Sequence, residues 1–231
     1  VRGTDFLTDR WIGVSHSLCR SLGTGRRVTY IPNGIDIDMA AEEGEDELPG
    51  EAGPVVLCMG RLSREKGQDI LLEAMVRVVE RVSGAVAWLA GEGPTEAQLR
   101  AQSRRLGIGD SVRFLGFREH VAPLLKKSSV VVLPSRGEGL PIAALEAMSA
   151  GVPVVAASVG GVPDLLSTDE VGLTVPPEDP QRLGDALTDL LGDPPRAHRI
   201  GAAGRAHVEA NFSSDRMAER TAEVYRSVWE E

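Results

Sequence analysis

The chain is 231 residues long, with 42% hydrophobic and 26% charged residues and a formal net charge of −9 at pH 7. That is the composition of a globular protein with room for one sizeable core, and its apolar runs, such as Val130–Leu133, are far too short to cross a bilayer. The acidic balance offers no general face to nucleic acid, so an anionic ligand has to be held by a few local cations and backbone amides.

The chain opens on Val1 rather than Met and without a signal-peptide pattern, the start expected of a fragment or a processed product. "DRWIGVSHSLCRSLGTGRRVTYIPNGID" then reads as strand, helix, strand and turn, a piece too small to be a domain. Residues 40–53 are acidic and punctuated by Gly and Pro, the pattern of a solvated linker. From there short apolar strands alternate with amphipathic helices. Strands are expected at Val55–Met59, Val86–Ala90, 112–115, Val130–Leu133, Val154–Ala157 and Leu173–Val175. Helices fit between them at 68–82, 96–106, 121–127, 141–150 and Pro180–Leu191, the last with Leu183, Ala186, Leu187, Leu190 and Leu191 on one stripe. Two more helical stretches follow, 196–209 and Ser214–Trp229. Such alternation predicts an α/β fold, a Rossmann-like parallel sheet with helices on both faces. Ligands then bind in loops at the carboxyl ends of the strands. Cys19 and Cys58, both in apolar-patterned segments, read as buried thiols in a reducing cytoplasm.

Two loops carry the chemistry. In "GRLSREKG" (60–67), Gly60 permits a sharp strand exit and a close backbone approach. Arg61 and Lys66 place two cations just before a helix, the pair a diphosphate needs, although solvated loop residues look the same. In "PSRGEGLPIAALEAMSAGVPVVA" (134–156), Pro141 suits the first turn of a helix. The free amides of Gly139, Leu140 and Ile142 would point at the loop mouth and favour an anion. Glu138 and Glu146 would repel a phosphate set directly against them, but an ionised carboxylate accepts well from vicinal hydroxyls. Amides for phosphate and carboxylates for sugar hydroxyls describe a nucleotide-sugar. A helix-entry anion and a surface glutamate would give the same spacing.

Other signals are weaker. "GEGPTE" (91–96) imitates a dinucleotide fingerprint but has Glu96 at the third glycine position, leaving its amides as cleft lining at most. "DID" (36–38) imitates a metal motif inside a turn-rich connection. His16, His120, His198 and His207 show no ligand spacing.

The motifs "IPNGID" (31–36), "GRLSREKG", "LAGEGP" (89–94), "VRFLGF" (112–117), "PSRGEGLPIAALEAMSAGVPVVA" and "GLTVPPEDP" (172–180) occur in the order found in the retaining glycosyltransferases of family four, glycosyl transferases group 1, which the chain resembles over nearly all its length. The resemblance implies a GT-B fold, two Rossmann-like halves facing a cleft, of which this chain matches the C-terminal, donor-binding half. Residues 1–38 then correspond to the end of the other half and its connection, 39–212 to the nucleotide-sugar domain, and 213–231 to a helix crossing back to the absent N-terminal half. In the residues that match, Arg61 and Lys66 hold the donor diphosphate, Glu138 takes donor-sugar hydroxyls, Glu146 the ribose diol, Gly139 and Leu140 the distal phosphate, and Phe117 and Arg118 the base. Gly60 and Pro141 complete the donor set, with Glu138, Arg61 and Lys66 the catalytic group. Asp164 in "GGVPDLL" departs from the family's usual Glu.

The resemblance further implies a metal-independent, front-face retaining transfer of a hexose, with a UDP-sugar as the expected donor. It leaves the N-terminal half to act in cis or as a separate chain, in the cytoplasm, with peripheral membrane attachment open for the full-length enzyme. Without that half, some of Phe212, Met217, Val224, Tyr225, Val228 and Trp229 would lack cover, favouring self-association or a partner. The alternatives are a non-catalytic nucleotide-sugar-binding or assembly module and, with less support, a UDP-sugar 2-epimerase-type isomerase.

Overall fold

The computed structural model describes residues 9–23, 27–37 and 48–230. Asp38 of "DID" and residues 40–47 of the acidic segment lie outside the described residues. The part of that segment that is described departs from the linker expectation. The Glu51 side chain is 9% exposed and pairs with Arg113 Nε at 3.0 Å, while Trp88 Nε1 donates to it at 3.2 Å. A buried tryptophan N–H needs an acceptor, and the carboxylate supplies it.

A small unit comes first. β1 (Trp11–Gly13) pairs in parallel with β2 (Val28–Tyr30), and α1 (His16–Leu22) crosses between them. The main body is a six-stranded, all-parallel sheet of β3 (Val55–Met59), β4 (Val86–Ala90), β5 (Val112–Gly116), β6 (Val130–Leu133), β7 (Val154–Ala157) and β8 (Leu173–Val175), in the order β5-β4-β3-β6-β7-β8. The helices between are α2 (Gln68–Arg81), α3 (Glu96–Arg105), α4 (Ala122–Lys127), α5 (Ile142–Ser149), the single turn α6 (Val162–Leu165) and α7 (Pro180–Leu191); α8 (Pro194–Asn211) and α9 (Ser214–Trp229) follow.

The strands read as apolar runs because both faces are buried. Val56, Cys58, Ala87, Leu89, Val130 and Val132 face a core closed by α2, α3 and α7. The residues between them, Val55, Leu57, Trp88, Val131 and Leu133, face a second core closed by α4, α5, α6 and α8. On α7 the expected stripe holds, with Leu183, Leu187 and Leu190 buried.

The helices correct three expectations. Pro141 is the N-cap of α5 with extended backbone (ψ 115°), one place before the first turn. α8 starts at Pro194 because Asp193 caps it, its carboxylate accepting from Arg196 N at 3.0 Å. α6 was not expected, since four residues carry no helical period. Cys58 is buried as expected, but Cys19 is half-buried, its thiol directed at Gly13 O. None of the described helices is long and apolar enough to cross a membrane.

Candidate functional site

Strand order reverses between β3 and β6: the chain winds from β3 out to β5, returns beside β3 as β6, and winds outward again to β8. The loops leaving β3 and β6 therefore diverge and leave a crevice, the place where open parallel sheets bind ligands. Both loops singled out in the sequence lie there.

The loop after β3 is pinned along its backbone. Gly60 N donates to Ala90 O and Leu62 N to Glu92 O, each at 2.9 Å, and Gln68 Nε2 donates to Arg61 O at 3.0 Å. Arg61 itself projects into solvent. The loop ends in a three-residue 3-10 turn, Arg64–Lys66, and Gly67 (φ 69°), where a Cβ would overlap the Pro134 carbonyl oxygen. That contact brings the β3 and β6 loops together. Lys66 Nζ then reaches both oxygens of Glu138, at 2.7 and 2.9 Å, and Ser135 Oγ donates to the same carboxylate at 2.7 Å. The Glu138 side chain is only 6% exposed. It is neither a solvated loop anion nor free.

Behind the β6 loop, α5 presents its N-terminus. Among the described residues nothing accepts from the amides of Gly139, Leu140, Ile142 or Ala143, while the Leu140 carbonyl accepts from Asn33 Nδ2 at 2.9 Å. One turn along, Glu146 is half-buried and its carboxylate has no hydrogen-bond or ion-pair partner among the described residues; burial pushes its carboxyl above the usual range.

Two hollows join here. The larger, about 390 Å³, is lined by Gly60, Arg61, Glu92, Phe117, Arg118 and Glu146 among others. The smaller, about 300 Å³, includes Gly60, Lys66, Glu138, Leu140 and Pro141. They share Met59, Gly60 and Ala143, so they form one groove over the crevice. Of the residues picked from the sequence only Gly139 lines neither; it is exposed and packs toward Val14 Cγ2.

The family model for "Glycosyl transferases group 1" matches residues 41–207. The chain belongs to that family. It is 34% identical over 224 residues to the GDP-mannose-dependent monoacylated alpha-(1-6)-phosphatidylinositol monomannoside mannosyltransferase of Corynebacterium glutamicum, covering 90% of this chain and 58% of that protein. Anabaena HepE, solved in complex with UDP and glucose, matches with a TM-score of 0.88 at 26% identity, over 97% of this chain and 64% of that one. The C-terminal domain of a glycosyl transferase group 1 protein from Francisella tularensis is covered over 100% of its length by 78% of this chain, with a TM-score of 0.70 at 23% identity, a likeness of fold alone. The chain spans about three fifths of the length of the first two. Its sheet and flanking helices are those of GT-B glycosyltransferase structures.

In this group 1 chain the groove can do two things chemically. The larger hollow sets an unpartnered carboxylate and two guanidinium side chains around a mostly apolar wall, suited to a ribose diol beside a base and a phosphate. The smaller sets an ammonium, a carboxylate and free helix-start amides within one space, suited to phosphate next to hydroxyls. Cys58 also lines it, but burial pushes its thiol up to about 12, so no thiolate nucleophile is available.

Several residues of the site were not legible in the sequence. Asn33 lies in "IPNGID", yet its tie is to Leu140, 107 residues farther along the chain. Arg136, two places before Glu138, pairs with Asp69 of α2. Gly160 (φ 56°) lets its loop lie against the Glu138 carbonyl, where a Cβ would overlap that oxygen. Asp164, noted in the sequence for its short side chain, accepts from His16 N at 2.7 Å with His16 Nδ1 at 3.3 Å, at the start of α1, which Ser15 caps.

Proposed function

We propose that the chain is the donor-binding half of a retaining, metal-independent glycosyltransferase that takes a nucleoside-diphosphate hexose. The observation that carries this reading is the joined groove: the free Glu146 with Arg61 in one hollow, and Lys66 with Glu138 in the next. The nucleoside lies in the larger hollow with its ribose diol on Glu146 and its base beside Phe117 and Arg118. The diphosphate crosses Gly60 between Arg61, Lys66 and the Leu140 amide, and the sugar meets Glu138.

In the reaction the bond from the sugar's anomeric carbon to the distal phosphate oxygen breaks. The acceptor hydroxyl oxygen bonds to that carbon on the same face, and its proton passes to the leaving phosphate. Arg61 and Lys66 stabilise the charge that develops on the diphosphate, so no protein nucleophile takes part. HepE, solved with UDP and glucose, supports UDP as the base-bearing group, while the relative named as GDP-mannose-dependent supports GDP. UDP is the nucleotide to test first, with GDP beside it.

The other half of the cleft, the acceptor and full turnover belong to the longer protein that the lengths of the relatives suggest. The exposed large apolar side chains fit this division. Phe117 and Ile142 stand at the groove, while Ile12, Leu18, Tyr225 and Trp229 stand on the small β1–α1 unit and on α9. These are surfaces for the other half to cover.

Calorimetric titration with UDP, GDP and ADP, with Glu146→Ala in parallel, tests the reading. Binding of a nucleoside diphosphate that the variant loses is the expected result. Equal binding by the variant would remove the ribose assignment, and no binding of any nucleotide by the wild type would sink the donor-site reading. Binding without sugar transfer when the remaining half is supplied would favour the non-catalytic module.

A further inference from the structure

We propose that Arg136, anchored by Asp69, is a positioning residue that sets the Lys66 ammonium for the donor's distal phosphate. The inference rests on the donor-binding reading of the groove.

Lys66 ends a 3-10 turn that no side chain caps. What holds the turn is Arg136. Its backbone N–H donates to Glu65 O at 2.7 Å and its Nη1 to Arg64 O at 2.7 Å, so it grips the two carbonyls immediately before Lys66. Nη1 and Nη2 also fork onto the two oxygens of Asp69, at 2.9 and 2.8 Å, in the first turn of α2 just after the Lys66–Gly67 corner. Nε completes the set on Glu178 at 2.8 Å. Arg136 therefore holds the chain on both sides of Lys66 from a position two residues before Glu138. Beside the Gly67–Pro134 contact, this one side chain ties the loop that delivers the ammonium to the loop that delivers the carboxylate.

The same contacts exclude Arg136 as a phosphate ligand. Its side chain is 23% exposed, and its guanidinium is committed to two carboxylates and a carbonyl. It adds no free cation to the groove, so its effect must pass through Lys66. The Asp69 carboxyl is held below the usual range, chiefly by its hydrogen bonds from Arg136, so the pair is charged at neutral pH. A lysine cannot reproduce the planar fork, and a misplacement of about 1 Å in a ligand-positioning group is enough to lose much of its contribution.

The test separates phosphate recognition from nucleoside recognition in the intact chain. Titration with a nucleoside diphosphate and with the corresponding monophosphate gives the preference that the distal phosphate confers. Arg136→Lys is expected to lower that preference about tenfold while monophosphate affinity changes by less than about twofold, because Glu146 and Arg61 lie outside the clamp. Asp69→Asn is expected to do the same, and it decides the matter where the Arg136 variant fails to fold. Arg77→Lys, which weakens a separate ion pair from α2 to Asp185, controls for general loosening of the helix and is expected to leave the preference unchanged. A purely structural Arg136 would lower both affinities by one factor, or lower Tm with the preference intact; either result overturns the inference while the donor reading stands. A wild type that binds no nucleotide overturns both.

Discussion

The surroundings of Glu146 work against a charge on its carboxyl. Burial raises its folded pKa above the unfolded value, with no partner among the described residues to offset the desolvation. A carboxyl with a raised folded pKa costs nothing below its unfolded pKa, and the full penalty is present once pH exceeds the folded value. Glu146→Gln is therefore expected to raise Tm at pH 7 by at most a few degrees, the gain disappearing below about pH 4. The same substitution is expected to weaken nucleotide binding by roughly tenfold to a hundredfold, the worth of charge-assisted bonds to a diol. A thermal-shift series against pH, beside calorimetry, checks both, and a lowered Tm at pH 7 would mean the carboxylate already has a partner. Asp69 has the opposite sign. Its depressed pKa stabilises the fold above the usual carboxylate range, and that contribution is lost as pH falls through the folded pKa. At this scale the sequence singled out Arg61, Lys66, Glu138 and Glu146, and all four line the joined groove. It hid the groups that hold them. Asp69 and Arg136 are 67 residues apart, and Asn33 and Leu140 are 107 apart; nothing in a single chain marks such pairs.

Elements explain why the groups stay where they are. The Glu138 loop is packed from two sides by backbone, by Gly67 through the neighbouring Pro134 and by Gly160 directly, so neither glycine position has room for a side chain. Gly160→Ala would impose left-handed backbone on a residue with a Cβ, at about 1–2 kcal/mol, and would push that Cβ into the Glu138 carbonyl. A loss of about 2–4 kcal/mol in total is expected from a denaturant titration, together with weaker diphosphate binding, since Glu138 moves with its carbonyl. Unchanged stability would show that the α6 entry can shift away freely. The long helices were legible because their apolar faces repeat, as α7 shows with Leu183, Leu187 and Leu190 buried against α2 and the sheet. The entry to α6 was not, because one turn has no period and its glycine pair reads as an ordinary loop. Pro141 was misplaced by one residue for a related reason: proline fits both the cap and the first turn, and only the neighbouring backbone decides.

Across the whole molecule, the alternation of strands and helices specified a parallel sheet but not its strand order, and the order is what creates the crevice between β3 and β6. Composition likewise foretold the acidic surface but not where the uncovered apolar side chains would fall. They fall at the groove, on the β1–α1 unit and on α9. α9 is hydrogen-bonded at its start, where Ser214 N donates to Ile35 O at 2.8 Å and Gly34 N to Met217 Sδ at 3.2 Å; farther along, Arg220, Glu223, Val224 and Ser227 line one hollow with Thr29, Tyr30 and Ile31, and none of its described residues is buried. Phe212 is covered and Met217, Val224 and Val228 are half-covered, so the exposed part of the expected patch reduces to Tyr225 and Trp229, 73% and 92% exposed. Four residues apart on a helix, they lie on one side of it. Replacing both by Ser removes apolar surface that the fold does not use, so Tm is expected to hold within the effect of about 0.5 kcal/mol typical of surface changes. The change should appear in solution association instead. Sedimentation equilibrium is expected to show the weight-average mass of the wild type rising with concentration and that of the Tyr225→Ser, Trp229→Ser variant staying at the monomer. Equal masses would show that α9 does not meet another copy of the chain, and a lowered Tm would show that the two aromatics belong to this fold's own core.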